Sequence, residues 1–121
     1  MAKLLIVDDE ADIREFAANF FSKRKIEVIT ASSGEEAVEI TEKHKPDLIL
    51  MDIKMNGING IEALRRIKEK NKDAKVIMVT GRKPEDEGSF DQCQRLGALG
   101  YVHKPLELGE LERVVMSALV K

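Results

Sequence analysis

Residues 4–10 read LLIVDDE: four apolar residues run without a break into three acids. So short an apolar run, with no polar alternation, suits a strand covered on both faces, as the strands of parallel sheets are. Four more such runs follow at residues 28–30, 48–51, 76–79 and 99–102, and the run at 28–30 is the weakest of the five. Helical spacing fills the intervals. Ile13, Phe16, Ala17, Phe20 and Phe21 form one stripe, Ala37, Ile40 and Thr41 a second, and Ile61, Leu64 and Ile67 a third. Leu108, Leu111, Val115 and Ala118 mark the last helix, and residues 84–96 carry the least amphipathic one. Start signals agree with this division. Ser33 with Glu36 and Asn59 with Glu62 have N-cap spacing, and Pro84 precedes Glu85, Asp86 and Glu87.

Five strands and five helices in strict alternation predict an α/β domain: a doubly wound parallel sheet between two helical layers. At 121 residues, against roughly 150 per domain, one domain over residues 1–121 is expected, with no repeat or linker. Lysine plus arginine number 20 and aspartate plus glutamate 22, a net charge of −2, which excludes a basic field for direct nucleic-acid binding. A single cysteine, Cys93, excludes an internal disulfide framework and any multi-cysteine zinc site. The N-terminal apolar run is too short for a signal peptide, and no run is long enough to span a membrane. A cytoplasmic protein is the expectation.

Chemistry concentrates where the apolar runs stop. The first is followed by Asp8 and Asp9 and the third by Asp52; the fourth is followed by Thr80, and Lys104 lies just beyond the fifth. In a sheet of order 2-1-3-4-5 ligands bind beyond the carboxyl ends of the strands where the order reverses, between strands one and three. Both acidic tips would open there. Carboxylates crowded at one crevice raise one another's pKa, and a hard divalent cation, Mg2+ (or Mn2+), relieves them. A carboxylate beside such an ion is a competent nucleophile toward a phosphoryl group, and an ammonium and a hydroxyl suit its equatorial oxygens.

The succession IVDDE (6–10), LILMDIKMNGINGIE (48–62), VIMVTG (76–81) and GALGYVHKP (97–105) resembles the receiver domain of two-component response regulators over essentially the whole chain. The resemblance implies the flavodoxin-like order 2-1-3-4-5, with Asp52 as phospho-acceptor. It implies Asp9, with Asp8 largely through water, and the backbone carbonyl of Lys54 as further metal ligands beside Asp52. Lys104 and Thr80 match the residues that contact the phosphoryl group; Thr80 and Tyr101 match the switch pair, and Lys104-Pro105 a bond that is usually cis. A histidine kinase, a histidine phosphotransferase or a small phosphodonor would supply phosphate. The face of helix four, strand five and helix five would then change, meeting a downstream protein or pairing two copies of the chain. Such a domain catalyses only its own phosphorylation and dephosphorylation.

Two features depart from the family. Asn56 stands where proline is common, and the span from Thr80 to Lys104 is slightly long, with Gly81, Pro84 and Gly88 early in it. Lys54 and Arg82 stand where relatives tune the lifetime of the phosphorylated form. Simpler readings exist for each residue: Asp8 and Asp9 as a helix cap, Thr80 as a strand end, His44 and His103 as surface or loop residues, Cys93 as a small buried hydrophobe. Helix five holds more apolar surface (Val114, Met116, Leu119, Val120) than one stripe needs, as a partner face or a wide core stripe would. Ala11, Arg14 and Ala18 are placed opposite Phe16 and Phe20, on the side where the resemblance puts kinase docking. Two other functions compete. A haloacid-dehalogenase-type phosphohydrolase would need an acid two residues after its nucleophile, where Lys54 stands, and room for a cap domain. A receiver-like interaction module without phosphorylation would not need so complete a set of groups. A flavin-binding relative is disfavoured by acid where a glycine- and hydroxyl-rich phosphate loop would sit.

Overall fold

The computed structural model describes residues 2–81 and 87–120, with backbone alone over 87–90. Strands β1 (Lys3–Val7), β2 (Glu27–Ala31), β3 (Leu48–Asp52), β4 (Val76–Thr80) and β5 (Gly100–His103) form one parallel sheet of order β2-β1-β3-β4-β5. Helices α1 (Ala11–Ser22), α2 (Gly34–His44), α3 (Gly60–Lys70), α4 (Glu87–Arg95) and α5 (Leu108–Leu119) join them. The order expected from the sequence is the order found. The proposed start of helix four at Pro84, and Arg82 with it, lie outside the described residues.

Side chains in a strand point alternately to its two faces, so an unbroken apolar run feeds two cores at once. Leu5, Val7, Ile49, Met51, Val76 and Met78 pack with Ala37 of α2, with Ile61, Leu64 and Ile67 of α3, and with Cys93 of α4. Their neighbours Leu4, Ile6, Leu48, Leu50, Ile77 and Val79 pack against Ala17 and Phe21 of α1 and Leu111, Val115 and Ala118 of α5. The weak second run becomes β2, an edge strand of which only Ala31 is fully buried. An edge strand has less of its surface covered, so its apolar signal is diluted.

Three apolar residues stand elsewhere than the pattern suggests. Phe16 is 48% exposed, although it lies one position from buried Ala17. One residue is a 100° turn on a helix, enough to carry a ring past the edge of the buried stripe. Leu108 is also exposed, at the first position of α5. Leu99 precedes β5 rather than opening it: its N–H donates to Val76 O at 2.8 Å, but its side chain is exposed. The surplus on α5 divides, since Val114 and Leu119 pack against the second core while Met116 and Val120 face outward.

Two helix starts are capped as their spacing predicts. Ser33 Oγ accepts from Glu36 N at 3.1 Å and Asn59 Oδ1 from Glu62 N at 2.9 Å. Each bond satisfies a donor the helix itself cannot use, so Ser33→Ala and Asn59→Ala are each expected to cost about 1 kcal/mol in urea unfolding.

Candidate functional site

The parallel register brings the strand tips together. Val7 of β1 pairs with Met51 of β3, so Asp8 and Asp52, one residue further on, are neighbours at the carboxyl edge. Asp52 pairs with Val79 and Thr80 with His103. The ladder continues past the strands: Asp8 N donates to Ala31 O, Ile53 N to Val79 O, and Lys104 N to Thr80 O at 2.8 Å. Backbone bonding therefore fixes the stretches that carry the acids, the hydroxyl and the amine.

Asp8, Asp52 and Thr80 are buried, at 3%, 4% and 2% exposure, whereas Asp9 and Glu10 are exposed. Lys104 Nζ donates to Asp52 Oδ2 at 3.1 Å and stands 3.5 Å from Asp8 Oδ2 and 3.9 Å from Glu10 Oε1. An open cleft of about 530 Å3 is lined by Asp9, Glu10, Asp52, Lys54, Thr80 and Lys104, among others. The Lys104-Pro105 bond is cis.

Asp8 and Asp9 do not cap α1. The N-cap is Glu10, which makes no side-chain cap bond, and Asp8 Oδ1 accepts from Glu10 N at 2.9 Å. Glu10 was not singled out by the sequence reading, although it is the third acid of the run. It offers a carboxylate oxygen within 4.8 Å of those of Asp8 and Asp9.

Burial pushes the Asp52 carboxyl up to about 6. The hydrogen bond and charge of Lys104 oppose the rise, and the charges of Asp8 and Asp9 add to it. For Lys104 burial acts downward, but its hydrogen bond to Asp52 and the charges of Asp52, Asp8 and Glu10 leave the amine above its ordinary value. Lys104 is thus charged at neutral pH, and it answers only part of the negative charge around it. Asp8, Asp9 and Glu10 bring carboxylate oxygens within 4.8 Å of one another, and Asp52 lies on the same cleft, so the negative charge there exceeds what the Lys104 ammonium alone balances. Such a set fits a hard divalent cation.

Thr80 Oγ1 is 3.2 Å from both Gly81 O and His103 Nδ1. His103 is therefore not the surface or loop residue expected from the sequence. It ends β5, half-buried, and touches a site residue. His44 is exposed in the last turn of α2, and Cys93 is a buried thiol. Tyr101 packs half-buried against the core shared with α3 and α4, away from the cleft lining. Burial raises its hydroxyl pKa, with Cys93 and Asp91 adding to the rise. Among the described residues, no helix is long and apolar enough to cross a membrane.

Residues 4–116 match the model of a family described as the response regulator receiver domain. The chain is 35% identical to sporulation initiation phosphotransferase F of Bacillus subtilis, over 97% of its own length and 93% of that protein's. It is also 35% identical to the Escherichia coli regulatory protein AtoC, where it spans only 25% of the relative. The chain covers about half or less of several other curated relatives. Among solved structures, a response regulator protein of Thermotoga maritima in complex with Mg2+-BeF superposes with a TM-score of 0.87 at 34% identity, covering 98% of this chain and all of that one. A Vibrio cholerae chemotaxis protein superposes at 0.90 with 26% identity, covering 98% of this chain and 99% of that one.

Proposed function

The chain belongs to the family of response regulator receiver domains, and we propose that Asp52 is the residue through which it works. A phosphorylation-dependent switch of two-component signalling is its function. The observation that carries the assignment of Asp52 is the buried carboxylate held 3.1 Å from the Lys104 ammonium at the meeting point of β1, β3 and β4.

In this reading an Asp52 carboxylate oxygen attacks phosphorus. A new O–P bond forms as the bond to the donor's nitrogen or oxygen breaks, and the leaving group keeps the electron pair. Lys104, already directed at Asp52, stays charged and offers a donor to the incoming equatorial oxygens. Thr80 supplies a hydroxyl from the adjoining strand. Asp8, Asp9 and Asp52, with the Lys54 carbonyl, would hold Mg2+ (or Mn2+), whose charge neutralises phosphoryl oxygens. Glu10 joins that acidic rim. The raised pKa of Asp52 leaves part of the population protonated near pH 6 and so not nucleophilic. A bound divalent cation favours the charged form, so acceptance near pH 6 is expected to rise with Mg2+ concentration.

The donor assigned is a histidine kinase or histidine phosphotransferase of the cytoplasm, and the readout is a change at α4, β5 and α5 felt through Thr80 and Tyr101. That face would meet a downstream protein or a second copy. The chain's catalysis is confined to its own phosphorylation and dephosphorylation, within one receiver unit over residues 1–121.

Intact-mass spectrometry after incubation with a small phosphodonor tests this. One phosphate should be gained with Mg2+ present, and little or none after chelation. Rapid multiple turnover of an ordinary phosphomonoester, with no phosphorylated chain accumulating, would instead favour a phosphohydrolase.

A further inference from the structure

Thr80 and His103 are opposite one another in the register of β4 and β5. Two residues earlier on the same strands, Met78 and Tyr101 pack toward the α3 and α4 layer, so strand alternation turns Thr80 and His103 to that side as well. The Gly81 carbonyl near Thr80 Oγ1 can only accept. The imidazole Nδ1 can donate or accept according to its tautomer; with the hydroxyl proton directed to Gly81 O, Nδ1–H is the donor to Oγ1. Strand β4 lies between β3, which carries Asp52, and β5, which carries His103. The hydroxyl oxygen is accordingly bound on the side of β4 remote from the nucleophile.

We propose that His103 is a positioning residue that latches the Thr80 hydroxyl against β5 in the unphosphorylated chain. To donate to a phosphoryl oxygen on Asp52, Thr80 must release Gly81 O and turn from the imidazole toward β3. The latch therefore weights the equilibrium toward the resting arrangement, and a phosphoryl group must outcompete it. The inference rests on Asp52 being the acceptor and adds a residue that sets how readily the switch responds. Removing the imidazole does not strand the buried hydroxyl, because Gly81 O still accepts from it. A β-branched residue also suits a strand position, so His103→Val should fold.

The chain has one tyrosine and no tryptophan, and Tyr101 lies on the same strand face two residues from His103. Its fluorescence therefore follows the switch without added labels. The native chain, with saturating Mg2+, is titrated with beryllofluoride as the phosphoryl mimic. His103→Val, with His103→Ala as a second truncation, should reach half-saturation at a concentration about two- to tenfold lower, the worth of one hydrogen bond. His103→Asn places an amide nitrogen as many bonds from Cβ as Nδ1 and should restore the native midpoint. In a Thr80→Val background the His103→Val change should no longer move the midpoint.

A midpoint unchanged or raised by both truncations overturns the latch, as does an effect that persists without the threonine hydroxyl. A native chain that shows no Mg2+-dependent response at all contradicts the Asp52 reading, and the latch falls with it.

Discussion

Gly60→Ala is expected to destabilise the chain by about 3 kcal/mol or more, although helix propensity alone predicts a gain of about 0.5–1 kcal/mol at a helical position. Gly60 opens α3, and its N–H donates to Ile53 O at 2.8 Å. That bond draws the start of the helix against the end of β3. A Cβ at position 60 would stand 2.1 Å from the Asp52 carbonyl oxygen and 2.9 Å from both Asp52 C and Ile53 Cα. All three are backbone atoms, so no rotamer change relieves the collision. The helix would have to withdraw from the strand that carries Asp52, the proposed acceptor, and phosphate acceptance should fall with stability. Gly109→Ala is the control. A Cβ there meets nothing within 4 Å, so propensity should prevail and the variant should gain stability. Urea midpoints of the two variants should move in opposite directions; equal stability of native and Gly60→Ala would refute the close approach.

Asp52→Asn is expected to lose phosphate acceptance entirely and, without Mg2+, to become more stable than the native chain at neutral pH. The reason is the carboxyl raised from 3.8 to about 6. Between those pH values the folded chain holds a proton on Asp52 that the unfolded chain has released. Folding stability contributed by this group therefore falls as pH rises from about 4 to about 6, and stays lost above. A rise of that size corresponds to at most about 3 kcal/mol at neutral pH. The asparagine variant carries no charge to bury and should lack that slope in denaturation measured across the same window. Mg2+ should narrow the gap, because an ion bound by the native acids stabilises the folded state by mass action. A variant that is less stable than the native chain at every pH would mean that the Lys104 pairing outweighs the burial cost of Asp52.

The alternation of elements and their order were legible because a parallel sheet covered on both sides demands unbroken apolar runs, and 48–51 and 76–79 are such runs. Residues that follow those runs were legible as a site for a related reason. Strands of like direction end on one edge, so Asp8, Asp52, Thr80 and Lys104 needed only the strand order to be brought together. Phe16 and Leu108 were misplaced because periodicity gives the centre of a buried stripe and not its edges. His103 reads as a surface or loop residue in the sequence because its meaning depends on the register of β4 against β5, which fixes Thr80 as its partner. Neither strand's sequence contains that pairing. Glu10 stood in plain view in the acidic run, but its place on the cleft wall follows from the turn into α1. The raised pKa of Asp52 likewise reflects how deeply β3 ends inside the fold, a depth that residue types alone do not specify.

Localisation of the phosphoryl group tests the central claim most directly. The native chain is incubated with a small phosphodonor and Mg2+, reduced with borohydride to trap an acyl phosphate, digested, and sequenced by mass spectrometry. Reduction at residue 52 and at no other carboxylate is the result this arrangement of strand tips predicts. A trapped product at Asp8, Asp9 or Glu10, or phosphate found on His44 or His103 with residue 52 unmodified, would contradict it.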